Sequence, residues 1–302
     1  MKNLSVNIAG VELSSPIVTA SGTFGSGNEY SQFIDLNRLG AITVKGVSSE
    51  PWLGNPPPRI AETHGGMLNA VGLQNPGAKE FIAKDLPFLW QFSTKVIVNL
   101  CGRTVEDYVA VVRDFEGVDG VDLFELNISC PNIKAGGMAM GTDPKMAEEV
   151  TRAVKNITKI PVIVKLSPNV TDIVSIAKGA EAGGADGLCL INTLLGMKID
   201  IHKKKPVLGN KMGGLSGPAI KPVAVRMVYQ VSKAVNLPII GTGGAATWED
   251  AIEFIMAGAT AVSVGTANFS NPCVTMEILD GIIAYMEKEK IQNINEIRGI
   301  IE

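Results

Sequence analysis

Eight short apolar runs, separated by helical patterns, constrain the fold of this chain more than any other feature. They are Pro16–Ser21, Ala41–Gly46, Val96–Leu100, Leu123–Ile128, Val162–Leu166, Gly187–Asn192, Ile239–Gly244 and Ala261–Thr266. Near-continuous apolar strands are buried on both faces, which requires a parallel sheet covered by helices, and eight such strands close a barrel. The reading is therefore an α/β protein, a (β/α)8 TIM barrel with long loop insertions over its C-terminal face. Residues 1–302 read as one domain, because no composition shift or longer repeat divides them.

Local signals agree. Thr104 with Asp107 and Thr247 with Asp250 fit a Thr-x-x-acid capping pattern, and Asp143-Pro144 fits a cap followed by proline in the first turn. Met146, Val150, Ala153 and Ile157 then recur at helical spacing and predict the face packed on the barrel. Leu4 to Leu13 reads as a small hairpin covering the barrel bottom. Two connections, Val47 to Phe92 and Thr193 to Gly217, exceed plain crossovers and read as structureless lids or binding loops.

Composition removes several function classes. With 27 basic and 30 acidic residues the formal charge is −3, so no electrostatic footprint for nucleic acid or an anionic membrane exists. The lone basic run, Lys203 to Lys205, reads as a solvated loop. Cys101, Cys130, Cys189 and Cys273 form no CxxC pair, and the histidines are only His64 and His202. Neither a metal centre, an iron–sulfur site nor a Ser-His-Asp triad is expected. The N-terminus lacks an apolar targeting segment and no run approaches the ~18 apolar residues of a membrane span. A soluble, cytoplasmic protein with reduced thiols is expected.

In an α/β barrel the active site lies at the C-terminal ends of the strands. Here those ends carry Ser21, Lys45, Asn99, Asn127, Lys165, Asn192, Gly243 and Gly265. Polar side chains are costly inside a barrel unless partnered, so two lysines and three asparagines converging on one mouth imply a large polar ligand. The stretch Leu123 to Asn132 is the most informative. Its strand breaks into Ser-Cys-Pro-Asn, where Cys130 is flanked by polar groups and a proline that keeps it extended. Asn127 and Asn132 bracket it with amides that both donate and accept. This is equipment for holding a planar heterocycle against a thiol. Gly-Thr-Gly-Gly and Val-Gly-Thr-Ala on the last two strands expose backbone N–H groups in the arrangement by which barrels bind phosphate. Together with Lys165 and the amides, a phosphate site there suits a phosphorylated planar cofactor such as FMN.

The motifs Lys45-Gly46, Asn69-Ala-Val-Gly-Leu-Gln-Asn-Pro-Gly77, Asn127-Ile-Ser-Cys-Pro-Asn132, Val164-Lys-Leu-Ser-Pro-Asn169, Ile191-Asn-Thr193, Gly213-Gly-Leu-Ser-Gly217, Gly241-Thr-Gly-Gly244 and Val264-Gly-Thr-Ala-Asn-Phe269 run over nearly the whole chain. Jointly they resemble class 1 dihydroorotate dehydrogenases. The Gly-Leu-Gln-Asn-Pro-Gly wording is similar to the B subtype, whose catalytic subunit passes electrons to a separate FAD and 2Fe-2S subunit and so to NAD. One departure is Trp52, where the family pattern has Arg after Glu-Pro. It puts loop or partner contacts in question and leaves the chemistry alone.

The resemblance implies oxidation of (S)-dihydroorotate to orotate in pyrimidine biosynthesis. It implies FMN held by Ser21, Lys45, Gly46, Asn99, Asn127, Lys165, Ile191, Gly217, Gly243, Gly244, Gly265 and Thr266. Substrate contacts are implied for Lys45, Asn69, Ala70, Val71, Gly72, Leu73, Asn127, Asn192 and Thr193, with Asn132 an addition. Cys130 is implied as the base that takes the C5 proton, with Lys45 beside it, while Cys101, Cys189 and Cys273 read as structural. A homodimer core carrying the FAD and 2Fe-2S subunit, a heterotetramer, follows from the same resemblance. The absence of a dinucleotide fingerprint agrees, since Gly22-Thr-Phe-Gly-Ser-Gly27 has the wrong spacing. The alternatives are an A-type fumarate-linked dihydroorotate dehydrogenase, another dihydropyrimidine- or dihydrouridine-type flavin oxidoreductase, a non-redox phosphosugar enzyme, and a binding-only barrel.

Overall fold

The eight apolar runs become eight parallel strands of a closed barrel, in a computed structural model that describes residues 2–129 and 140–302. In barrel order they are Ile17–Thr19, Ala41–Thr43, Lys95–Leu100, Leu123–Asn127, Val162–Lys165, Gly187–Leu190, Ile239–Thr242 and Ala261–Val264, the last closing on the first. Their side chains are buried almost without exception, as a sheet covered on the outside by helices requires. The register is in step around the barrel. Asn99 lies opposite Glu125, Asn127 opposite Lys165, and Cys189 also opposite Lys165. Polar residues on neighbouring strands therefore sit at similar heights.

Helices return the chain from one strand to the next and begin where the sequence places them. Thr104 and Thr247 close capping boxes with Asp107 and Asp250, and the Asp143 carboxylate accepts from the N–H groups of Lys145 and Met146. One expected face is corrected. On Pro144–Lys155 the buried residues are Ala147, Val150, Thr151 and Val154, whereas Ala153 is only partly buried and Ile157 is exposed, beyond the helix end. The spacing was right and its phase was displaced. Val6–Ile8 and Val11–Leu13 form the expected hairpin. The missing Cβ of Gly40 would lie 3.2 Å from Leu13 Cβ, which puts this hairpin at the strands' N-terminal ends.

Both long insertions are structured, contrary to the expectation of structureless loops. Ile60–Thr63, Gly66–Asn69, Leu194–Met197 and Met212–Ser216 form one antiparallel four-stranded sheet, in which 67–69 pairs with 214–216. A small apolar cluster of Ala61, Leu68, Ala70 and Leu208 supports it. This sheet stands at the C-terminal end of the barrel and forms one wall of the cavity there.

Candidate active site

A cavity of about 1210 Å³ occupies the C-terminal mouth of the barrel. Its rim is built from the strand ends and from the added sheet. Ser21, Lys45, Gly46, Asn127, Lys165, Ile191, Asn192, Thr193, Gly217, Gly243, Gly244, Gly265 and Thr266 line it, and so does the loop Asn69, Ala70, Val71, Gly72 and Leu73. Side chains separated by nearly the full length of the chain thus meet in one space. Asn99 does not line the cavity. It is fully buried beneath it and reaches the wall through Asn127. Cys130 and Asn132 lie outside the described residues.

The floor is a network of amides around one ion pair. Lys165 Nζ lies 3.3 Å from Glu125 Oε1, and both side chains are buried. Asn99 Nδ2 donates to the same carboxylate oxygen at 2.5 Å. Above them Asn127 Nδ2 donates to Asn99 Oδ1 at 3.5 Å, and Asn192 Nδ2 to Asn127 Oδ1 at 3.3 Å. The backbone is fastened too. Ser129 Oγ donates to the Lys165 carbonyl at 2.6 Å, and Tyr108 Oη to the Asn127 carbonyl at 2.5 Å. Ser129, which follows the strand and precedes Cys130, is thereby locked to the neighbouring strand.

The two lysines differ electrostatically. Burial alone would drive the Lys165 pKa down, but attraction to Glu125 outweighs it and the ammonium is held above the ordinary lysine value. Lys45 has no carboxylate in salt-bridge range among the described residues. Burial lowers its pKa, with Cys101 opposing and Arg59 adding to the decrease. Burial also raises the Cys189 thiol well above its usual value, and Glu125 adds to this, so Cys189 is inert.

The last two strands end in a cradle of bare backbone. Gly243 and Gly244 adopt φ of +120° and +87°. A Cβ on Gly244 would lie 2.8 Å from the Gly217 carbonyl oxygen, so the turns at 243–244 and 217 approach each other only because a side chain is missing. Thr266 Oγ1 donates to Ser216 Oγ at 2.7 Å, joining the final strand to the added sheet. Backbone N–H groups here and ammonium and amide donors on the floor suit a long ligand with an anionic end and a polar ring. That donor set fits FMN.

Sequence reasoning missed Glu125, Ser129, Asn169 and Ser216. Asn169 fastens the added sheet, donating to the Thr193 carbonyl and accepting from Leu195 N–H at 3.0 and 2.8 Å. Only Glu125 carried a signal, a lone charge inside a buried strand beside another buried strand that holds a lysine. Among the described residues no group of three or more His, Cys, Asp or Glu could hold a metal ion, and no helix is long and apolar enough to cross a membrane.

Fold and site together define an α/β-barrel protein whose strand ends line a large polar cavity. Residues 3–286 match the family model described as dihydroorotate dehydrogenase. Over 297 residues the chain is 68% identical to a protein of Alkaliphilus metalliredigens named dihydroorotate dehydrogenase B (NAD(+)), catalytic subunit, covering 98% of each chain. A protein of the same name from Lachnoclostridium phytofermentans is 63% identical over 300 residues, covering 99% of this chain and 100% of that one. A crystal structure of DHODH from Eimeria tenella in complex with ferulenol shares the fold, with a TM-score of 0.80 at 24% identity, covering 99% of this chain and 88% of that one. The chain belongs to the dihydroorotate dehydrogenase family.

Proposed function

We propose that this chain is the catalytic subunit of a B-type, NAD-linked dihydroorotate dehydrogenase, a single FMN-binding barrel that oxidises (S)-dihydroorotate to orotate in pyrimidine biosynthesis. The observation that carries the reading is the convergence of Lys45, Asn127, Lys165, Asn192 and the Gly243-Gly244 cradle on one cavity. The names of the relatives at 68% and 63% identity support the B assignment over the fumarate-linked alternative.

FMN would be held by the cradle and Thr266 at its phosphate and by Lys165, Asn99, Asn127, Ser21, Lys45, Gly46, Ile191 and Gly217 elsewhere. When bound it supplies a two-electron acceptor for hydride from C6 of the substrate. The remaining work belongs to the protein. Lys45 offers a positive charge to the anionic substrate, in a partly buried setting where such attraction is screened less than in water. The loop 69–73 with Asn127, Asn192 and Thr193 orients the ring by hydrogen bonds, and the added sheet shields it from solvent. Cys130, as thiolate, removes the C5 proton. An ordinary thiol has a pKa of about 8.5, so activity is expected to rise on the alkaline side.

Electrons must then leave through another polypeptide, since the chain has neither a dinucleotide fingerprint nor cysteines spaced for a cluster. A FAD and 2Fe-2S subunit on a homodimer core fits this need. Met197, Ile199 and Ile201 stay exposed on the added sheet and the turn beside it, outside the cavity lining, which supports a protein contact there. The test is direct. Purified protein should be yellow, release FMN on denaturation, bleach with dihydroorotate under anaerobic conditions and reduce NAD poorly alone. A colourless protein that takes up no FMN would defeat the flavin reading, and brisk NAD reduction by the isolated chain would defeat the B assignment.

A further inference from the structure

We propose that Glu125, beneath the cavity floor, is a positioning residue: it is the acceptor that fixes the donor direction of the Asn99 amide and holds the Lys165 ammonium by direct ion pairing. The inference deepens the flavin reading and rests on it only for the identity of the ligand above the floor.

Glu125 is 2% exposed and is absent from the cavity lining, so it cannot touch a ligand itself. Its influence must pass through its partners. An ionised carboxylate only accepts hydrogen bonds. Asn99 must therefore turn its NH2 group toward Glu125, at 2.5 Å, which leaves Asn99 Oδ1 facing upward. That oxygen accepts from Asn127 Nδ2 at 3.5 Å, and Asn127 Oδ1 in turn accepts from Asn192 Nδ2 at 3.3 Å. The direction is set independently from the other end. Backbone N–H groups can only donate, and those of Ser129 and Thr193 donate to Asn127 Oδ1 and Asn192 Oδ1 at 3.4 and 2.8 Å. Both ends demand the same polarity, so none of the three amides is free to flip. Asn127 and Asn192 line the cavity with one amide hydrogen each left over, beside the Lys165 ammonium. The floor thus presents donors and selects ring atoms that accept.

Glu125 also settles the charge of that floor. Lysine buried without a counter-ion tends to lose its proton, and here the carboxylate at 3.3 Å opposes that tendency. Among the described residues the titratable groups facing Lys165 are Glu125, Cys189 and Cys101, and of these Glu125 exerts the largest opposing effect.

Lysine-selective NMR on protein labelled at lysine 13Cε, stripped of FMN and assigned with Lys165→Met, follows the Lys165 titration directly. In the wild type, Lys165 should stay protonated past the ordinary lysine value of about 10.4. In Glu125→Gln it should titrate at least ~2 units lower, with Glu125→Asp in between. With FMN restored, the midpoint potential of E125Q should lie above that of the wild type at acid pH, where Lys165 is an unbalanced cation. The gap should close at alkaline pH. An unchanged Lys165 titration in E125Q, or a potential gap that is constant with pH, would show that Glu125 merely packs. Should E125Q fail to fold, the wild type alone decides, because titration below the ordinary lysine value overturns the proposal. Should no FMN bind at all, the flavin reading fails, yet the titration on flavin-free protein still tests Glu125.

Discussion

Thr266 Oγ1 donates a hydrogen bond to Ser216 Oγ at 2.7 Å, linking the turn after the last barrel strand to a strand of the added sheet. The contact bridges 50 residues and closes the cavity wall beside the glycine cradle. Thr266→Val should weaken FMN binding about two- to thirteenfold, the net worth of one hydrogen bond of about 0.5–1.5 kcal/mol. Quenching of FMN fluorescence on titrating stripped protein measures this. Ser216→Ala should match it, and the double variant should add little. Full additivity would mean that the two hydroxyls act separately.

Lys45 should give orotate binding its alkaline limit. Burial places its pKa below the ordinary lysine value, so the positive charge disappears at lower pH than for a surface lysine. Affinity for the orotate anion should hold below that point and fall as pH rises through it, whereas Lys45→Met should bind weakly with no such break. The linkage sign is opposite for folding. Keeping a depressed lysine charged costs the native state below its folded pKa, and that cost fades as pH rises toward the unfolded value. Lys45→Met should therefore match or exceed wild-type stability at neutral pH, as urea midpoints would show.

Cys130→Ala should keep its yellow colour and its orotate affinity while flavin bleaching by dihydroorotate slows by at least ~10²-fold, the usual worth of a positioned acid–base group. Stopped-flow absorbance reads the rate. Bleaching at the wild-type rate would assign the proton to another base.

Asn75 should govern the substrate loop. Its Oδ1 accepts from Ser48 N–H, Ser48 Oγ and Gly77 N–H, and its Nδ2 donates to the Leu73 carbonyl. Leu73 sits at φ +56°, a conformation that a leucine holds only when its surroundings impose it. Asn75→Ala leaves several buried groups unpaired and should cost about 2 kcal/mol of stability. Steady-state kinetics on the assembled enzyme should show a raised KM with kcat little changed.

Much of this was legible in the residues because the eight strands are near-continuous apolar runs and the helix starts obey local capping chemistry, as at Thr104 and Asp143. The cavity-lining positions at the ends of the barrel strands, such as Lys45, Asn127 and Lys165, were legible because a strand's end is a local event and barrel closure gathers such ends. The added sheet was not. Its strands are four or five residues long and partly exposed, with glycine at 213 and 214, and although a two-residue turn joins 60–63 to 66–69, the sheet is completed by pairing across about 145 residues, which nothing local marks. Glu125 was hidden for a related reason. Its partners Asn99 and Lys165 lie 26 and 40 residues away, and a lone acid in a strand announces no partner.

The wall over the mouth combines two excursions, one leaving after the second barrel strand and one after the sixth, and neither contributes a stave to the barrel. Entry to the chamber and its buried floor are therefore written in different parts of the chain. Lengthening, trimming or recharging either excursion would alter which molecules reach the floor, and how fast, while the staves and their buried ion pair stayed as they are.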